Sequence, residues 1–116
     1  MIKQLRLLLA ALLLLGYVGP SHQDCWTQWY NRDTPSATGD WETLADLRKE
    51  NPGKLCPHPS AVQAVTIFIG IPAEQTGQTF YLYSPSKGFV CRNQDQPSGN
   101  CFNYKVRFKC PCFGIP

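Results

Sequence analysis

The chain has 116 residues, six cysteines, a formal net charge of +3 and 43% hydrophobic residues. One domain fits in that length; a catalytic barrel, or a doubly wound sheet with a second domain, does not. Aromatic residues at 12% and charged residues at 16% exclude a disordered tail.

Residues 1–21 read as a secretory signal peptide. Lys3 and Arg6 form a basic start and Leu7 to Leu15 an apolar run. Gly16, Gly19, Pro20 and Ser21 follow as a small-residue exit, with cleavage expected after Ser21. The run is too short to span about 30 Å of hydrocarbon, which takes roughly 20 residues. The leader takes two of the 11 basic residues and none of the eight acidic ones, leaving 9 against 8, or +1, over residues 22–116. The expectation is a secreted, extracellular single domain over 22–116 with no membrane span.

After Cys25, the segment Trp26-Thr-Gln-Trp29-Tyr30-Asn31-Arg32-Asp33 leads into a loop from Thr34 to Gly39. Asp40 reads as a helix N-cap, with Glu42 in the first turn where the helix dipole favours negative charge. Leu44 and Leu47 share a face, and Asn51-Pro52-Gly53 stops the helix near residue 50. Val62 to Ile71 is an apolar, β-branched run ended by Pro72, which predicts a strand buried on both faces. Thr79 to Tyr83 and Gly88 to Arg92 are predicted as the next two strands. In the fourth, Phe102, Tyr104, Val106, Phe108 and Cys110 alternate with Asn103, Lys105, Arg107 and Lys109, one core face and one basic, solvated face. The predicted fold is a small disulfide-stapled, mainly antiparallel β domain with one short helix.

Cys25, Cys56, Cys91, Cys101, Cys110 and Cys112 form an even set behind a secretory leader, which reads as three disulfides and no free thiol. Six cysteines allow 15 pairings, and spacing does not choose among them. A hairpin of the third and fourth strands closed by Cys91–Cys101 is the local pairing to expect first. Zinc at Cys56, His58 and the Cys110-Pro-Cys112 pair is the rival reading; its Cys-x-Cys spacing is tighter than zinc sites use.

Residues able to carry catalysis are few. His22 abuts the cleavage site and His58 sits between two prolines. No serine is framed as a nucleophile, and phosphate cradles and nucleotide fingerprints are absent. Neither an enzyme nor a nucleic-acid partner is expected. The stripe Lys105-Arg107-Lys109, with Arg92 and Lys87, is a candidate surface for sulfated or sialylated glycans; its plainer reading is a wet sheet face that discourages aggregation. Asn31, Asp33, Asp40 and Glu42 flank a Gly/Pro loop and offer the hard oxygens that calcium requires, although the EF-hand spacing is missing. Trp26 and Trp29 form the Trp-x-x-Trp acceptor pattern for C-mannosylation of the first tryptophan, or else pack as buried indoles. No Asn-x-Ser/Thr sequon occurs, so N-glycosylation is not expected.

Three stretches carry a family resemblance. They are Cys25-Trp26-Thr-x-Trp29 with Asp33 and Pro35; Gly39-Asp40-x-Glu42-Thr43; and Gly88-Phe-Val-Cys91-Arg-Asn-Gln-Asp-Gln96 followed by Cys101-Phe-Asn-Tyr-Lys-Val106. Together they resemble the CysD or WxxW domain of gel-forming mucins, which is similar to the N-terminal module of cartilage intermediate layer proteins. The resemblance runs from 25 to 112. It implies a non-enzymatic, β-rich, calcium-stabilised interaction module that associates weakly with itself, and it maps the calcium ligands onto Asn31, Asp33, Asp40 and Glu42. The family carries more cysteines. The one upstream of the Trp motif has no counterpart here, and two others fall on Ile67 and Tyr83, as though one bridge had been deleted and its space filled by core side chains. The family's adjacent C-terminal cysteines are spaced here as Cys110-Pro-Cys112.

The expectation is therefore a secreted module with extracellular glycoproteins, mucins or itself as partner, a homodimer being its simplest assembly. A small glycan-binding or host-defence effector acting through Lys105, Arg107 and Lys109 is the alternative.

Overall fold

The computed structural model describes residues 23–32 and 34–112. The signal peptide expected over 1–21 and the calcium candidate Asp33 lie outside the described residues. Two three-stranded antiparallel sheets make the fold. The first is ordered β1–β6–β3, from Asp24–Trp26, Tyr104–Pro111 and Ala61–Thr66; the second is β2–β5–β4, from Gly39–Thr43, Gly88–Arg92 and Leu82–Ser84. One helix, α1 (Leu44–Glu50), follows β2 directly.

Strand β6 is the spine because its alternation is clean: Tyr104, Val106, Phe108 and Cys110 are buried, while Lys105, Arg107 and Lys109 face away. It pairs with β3 from Ala61↔Lys109 to Thr66↔Tyr104 and with β1 at Trp26↔Lys109. The core between the sheets holds Tyr30, Leu44, Leu47, Phe89, Tyr104, Val106 and Phe108. Phe80, Tyr83, Phe89 and Tyr104 stack edge-on or tilted, with centroids 4.9 to 5.8 Å apart.

Five expectations need correction. Asp40 and Glu42 belong to β2, not to a helix start. Thr43 caps α1, its hydroxyl accepting the Asp46 N–H at 3.2 Å. Sequence favoured Asp40 as a cap, but pairing with β5 from Gly39↔Arg92 to Thr43↔Gly88 takes these residues into a sheet. That pairing needs two glycines. A Cβ on Gly39 (φ +137°) would lie 2.0 Å from the Cys91 carbonyl oxygen, and one on Gly88 (φ +99°) 2.6 Å from that of Glu42. The 62–71 strand ends at Thr66, and residues 67–71 form a turn in solvent. Phe102 precedes β6 and is 50% exposed, so it is no core residue. Finally, β5 and β6 lie in different sheets and make no hairpin, and of the strand expected over 79–83 only Leu82 and Tyr83 are in β4.

All six cysteines are bridged: Cys25–Cys112, Cys56–Cys110 and Cys91–Cys101. The first ties β1 to the residue that follows β6, the second ties the loop before β3 to β6, and the third ties β5 to the segment just before β6. Their sequence separations of 87, 54 and 10 correspond, in the chain-entropy view, to about 4–5, about 4 and about 3 kcal/mol if each acts alone. With Cys56 and Cys110 joined to each other and Cys112 to Cys25, the thiolates a zinc site would need are consumed.

Candidate functional site

Three places gather the residues singled out above. The first is the inward face of β2. Asp40 and Glu42 sit two apart on that strand and are both fully buried. Asp40 Oδ2 accepts the Tyr104 N–H at 2.6 Å, tying β2 to the start of β6. Both Glu42 oxygens accept the Arg32 N–H, at 3.1 and 2.8 Å. The Arg32 side chain turns outward to Glu50 at 2.8 Å and to the Trp41 carbonyl at 3.1 Å. The carboxylates therefore link the second sheet to strands and segments of the first. Two buried carboxylates this close are costly unless amides or a cation offset their charge. Their hard oxygens suit calcium. Asn31 stays at the surface, donating to Asn103 Oδ1 at 3.2 Å. Among the described residues, no three His, Cys, Asp or Glu side chains gather into a group able to hold a metal.

The second place is the outer face of the first sheet. Cross-strand pairing sets Trp26 opposite Lys109, and Trp29 follows three residues on. The Arg107 guanidinium lies 4.6 Å from the Trp26 ring centroid and 4.5 Å from that of Trp29. Lys109 lies 5.5 Å over Trp26 and Lys105 5.1 Å over Trp29, and Arg107 Nε also donates to Gln63 Oε1 at 2.8 Å. Both tryptophans are half-buried on this face rather than in the core. The Trp-x-x-Trp spacing thus brackets one arginine. The basic stripe is a ladder of cations lying on indoles, which lowers the exposure of both. Arg92 and Lys87 are not part of it: Arg92 is on β5, paired with Asp95 at 2.8 Å and stacked over Tyr81, and Lys87 precedes β5.

The third place was missed from sequence. After β3 the chain turns at Ile67-Phe68-Ile69-Gly70, leaving Phe68 93% and Ile69 83% exposed. With Ile67, Ile71 and Phe102 they line a groove of about 420 Å³. An apolar run reads as a buried strand when its period is all that is weighed. The usable signal was Gly70 just before Pro72, which marks a turn. Ile67, expected to fill core space in place of a family cysteine, is half-buried at the start of this turn and lies outside the core cluster. Tyr83 does tie the sheets: its hydroxyl accepts the Ala64 N–H at 2.9 Å and donates to Glu74. Burial and that Glu74 carboxylate push its pKa up to about 12.

Residues 26–110 match the family described as the mucin-2 protein WxxW repeating region. Human cartilage intermediate layer protein 2 is 43% identical over 88 residues, covering 74% of this chain and 7% of that protein. Human mucin-5AC is 34% identical over 95 residues, 78% of this chain and 2% of the mucin. The human cell migration-inducing and hyaluronan-binding protein is 33% identical over 85 residues, 73% of this chain and 6% of that protein. The chain thus spans a small fraction of the length of these relatives, and none of the three names is an enzyme's. No helix among the described residues is long and apolar enough to cross a membrane.

Proposed function

This chain belongs to the mucin-2 WxxW family, and from that premise we propose that it is a secreted, non-enzymatic binding module associating weakly with itself and with mucins or other extracellular glycoproteins. The observation that carries the reading is the apolar turn at Phe68 and Ile69 on a disulfide-stapled domain. Core aromatics, buried carboxylates and stacked cations are engaged within the fold, whereas this turn offers large apolar side chains outward. Surfaces of that kind mark interaction sites. Relatives named as mucins and cartilage intermediate layer proteins make the extracellular setting the natural one for it.

Calcium belongs to the same proposal. Asp40 and Glu42, with Asp33 directly after the Arg32 amide that binds Glu42, and with Asn31, are the residues assigned to it. Bound there, calcium would neutralise buried carboxylate charge and stiffen the tie between the sheets. Calcium should raise the melting temperature of the wild type and leave Asp33→Ala unmoved; a wild type indifferent to calcium rejects this part. Trp26 is assigned as the C-mannosylation site, and intact mass of the secreted protein should show one hexose that Trp26→Phe lacks. The whole reading is tested by capture from native mucous or cartilage secretions with and without calcium, beside the solution mass of the purified protein. Capture of mucins or matrix glycoproteins supports it; none, from a monomeric protein, overturns it.

One observation favours a second reading. Lys105, Arg107 and Lys109 lie in register along one face with Trp26 and Trp29, cations and flat rings together, and one relative is named for binding hyaluronan. A glycan- or host-defence-type effector would use that face on an anionic polysaccharide. Its binding would weaken steeply between low and physiological salt, whereas association through apolar contact would not.

A further inference from the structure

Strand β3 is an edge of the first sheet, and beside it lies an open hollow of about 480 Å³. Trp26, Val62, Gln63, Glu74 and Tyr83 line it. Its volume falls among small-molecule clefts, which run from roughly 300 to 1,000 Å³. The hollow shares no residue with the apolar turn and only Trp26 with the indole ladder.

Its two polar side chains are held in place, each with one atom to spare. Gln63 Oε1 accepts from Arg107 Nε at 2.8 Å, which fixes the amide and turns Nε2 into the remaining donor. Glu74 Oε1 accepts the Tyr83 hydroxyl, itself anchored by the Ala64 N–H at 2.9 Å, which leaves Oε2 as an acceptor. Neither Gln63 Nε2 nor Glu74 Oε2 has a partner among the described residues. Trp26, Tyr83 and Val62 supply the apolar part of the lining.

The charges narrow the occupant. A sulfate or carboxylate would meet the Glu74 carboxylate. An ammonium or guanidinium would meet Arg107 and Lys109, which lie 4.6 and 5.5 Å from the Trp26 ring centroid. A peptide adding to the β3 edge would find its donors taken, the Ala64 N–H by Tyr83 and the Thr66 N–H by the Ile71 carbonyl at 2.9 Å. What fits is uncharged, both donates and accepts, and has an apolar face for aromatic rings. We propose that this hollow binds a neutral pyranose of a glycan chain, one hydroxyl donating to Glu74 Oε2 and its neighbour accepting from Gln63 Nε2. The proposal rests on the glycoprotein-binding reading above and gives it a ligand. It differs from the second reading, which places anionic glycans on the cation ladder.

An NMR titration of the secreted, fully bridged protein with methyl β-glucoside, methyl β-galactoside and methyl β-N-acetylglucosaminide tests this. At millimolar sugar, the Gln63 side-chain amide and the Trp26 indole N–H should shift with at least one of the three. The shifts should be equal at low and physiological salt, since no charge pairing is involved. Methyl β-glucuronide and N-acetyl-arginine amide should leave both resonances in place. Glu74→Ala should weaken the glycoside at least tenfold, as loss of a charged hydrogen bond does. Because that variant also frees Tyr83, Glu74→Gln is the second: it keeps the shape, should bind the glycoside within a few-fold of the wild type, and should now admit the glucuronide. Gln94→Ala, which follows β5, should bind as the wild type does. Resonances that stay still with all three glycosides overturn the proposal, and any capture of glycoproteins then belongs to another surface. Resonances that move with the glucuronide or the arginine amide instead also overturn it, because the hollow then selects charge.

Discussion

Trp26 and Trp29 lie half-buried beneath the cations of β6, whereas Phe68 and Ile69 stand bare in solvent on the turn after β3. Both regions put large apolar side chains outside the core of a small domain. In the first, Arg107, Lys105 and Lys109 cover the indoles, and each ring in turn holds a cation in place. In the second no such cover exists among the described residues, and the backbone bonds hold the side chains out. The difference separates surface that stabilises the fold from surface kept for a partner. Substituting the first kind should cost stability; substituting the second should cost association alone.

The largest effect should come from the fully engaged interior. Glu42→Ala strips the acceptor from the Arg32 N–H and removes a tie between the sheets. Losing a charged acceptor at a buried site costs about 2–3 kcal/mol. Urea unfolding should show the midpoint falling with the slope unchanged. A loss below about 0.5 kcal/mol would mean that the buried carboxylate is not a structural tie.

Next comes the ladder. Arg107→Ala removes two ring contacts and the hydrogen bond to Gln63, which together amount to about 1–2 kcal/mol. Tryptophan fluorescence should shift to longer wavelength as both indoles gain water. An unchanged spectrum and melting temperature would erase the contrast between covered and bare rings.

Tyr83 gives a smaller, pH-resolved effect. Its folded pKa of about 12 stands above the ordinary 10.0, because burial and the Glu74 carboxylate both disfavour the phenolate. A raised pKa means that the phenol's contribution is complete below pH 10 and is lost as pH rises toward 12. Tyr83→Phe should cost about 1 kcal/mol near neutrality, where the Ala64 N–H loses its acceptor. The variant's melting temperature should then fall less steeply than the wild type's between pH 10 and 12. Parallel curves would show that Tyr83 does not titrate in the folded state.

Legibility in the sequence followed the locality of each cause. Strand β6 declared itself through alternation, Gly88–Arg92 through its bounding glycine and turn residues, and the α1 stop through Asn51-Pro52-Gly53. Cysteine parity set the number of bridges, but only one pairing of the three, Cys91–Cys101, was within local reach. Strand β2 was hidden because Asp40 and Glu42 are poor strand formers, held in place by Tyr104 and Arg32, residues remote in sequence or bonded through the backbone. The most specific family stretch proved architectural. Gln96 is buried and clamps both the N–H and the carbonyl of Thr79, and Asn93 accepts from the Cys101 N–H at 2.9 Å. The Phe68 turn failed for the opposite reason: an apolar run predicts burial, and Gly70 just before Pro72, the one local sign of a turn, does not say whether the side chains pack within the fold or stay exposed.

That ambiguity defines the smallest effect and the sharpest test. Phe68 keeps nearly all of its surface in water when the chain folds. Apolar stabilisation scales with area withdrawn from water, at about 25 cal/mol per Å², so Phe68→Ser with Ile69→Ser should change monomer stability by no more than about 0.5 kcal/mol. Where copies pair, mass action adds stability to the wild type in proportion to the logarithm of its occupancy, and the variant gains none. Calorimetry should therefore give the two proteins one melting temperature at micromolar concentration. At millimolar concentration the wild type should melt higher, while the variant stays where it was. If the variant instead melts lower at every concentration, Phe68 and Ile69 are part of the fold's own support, and the bare turn belongs with the tryptophan ladder after all.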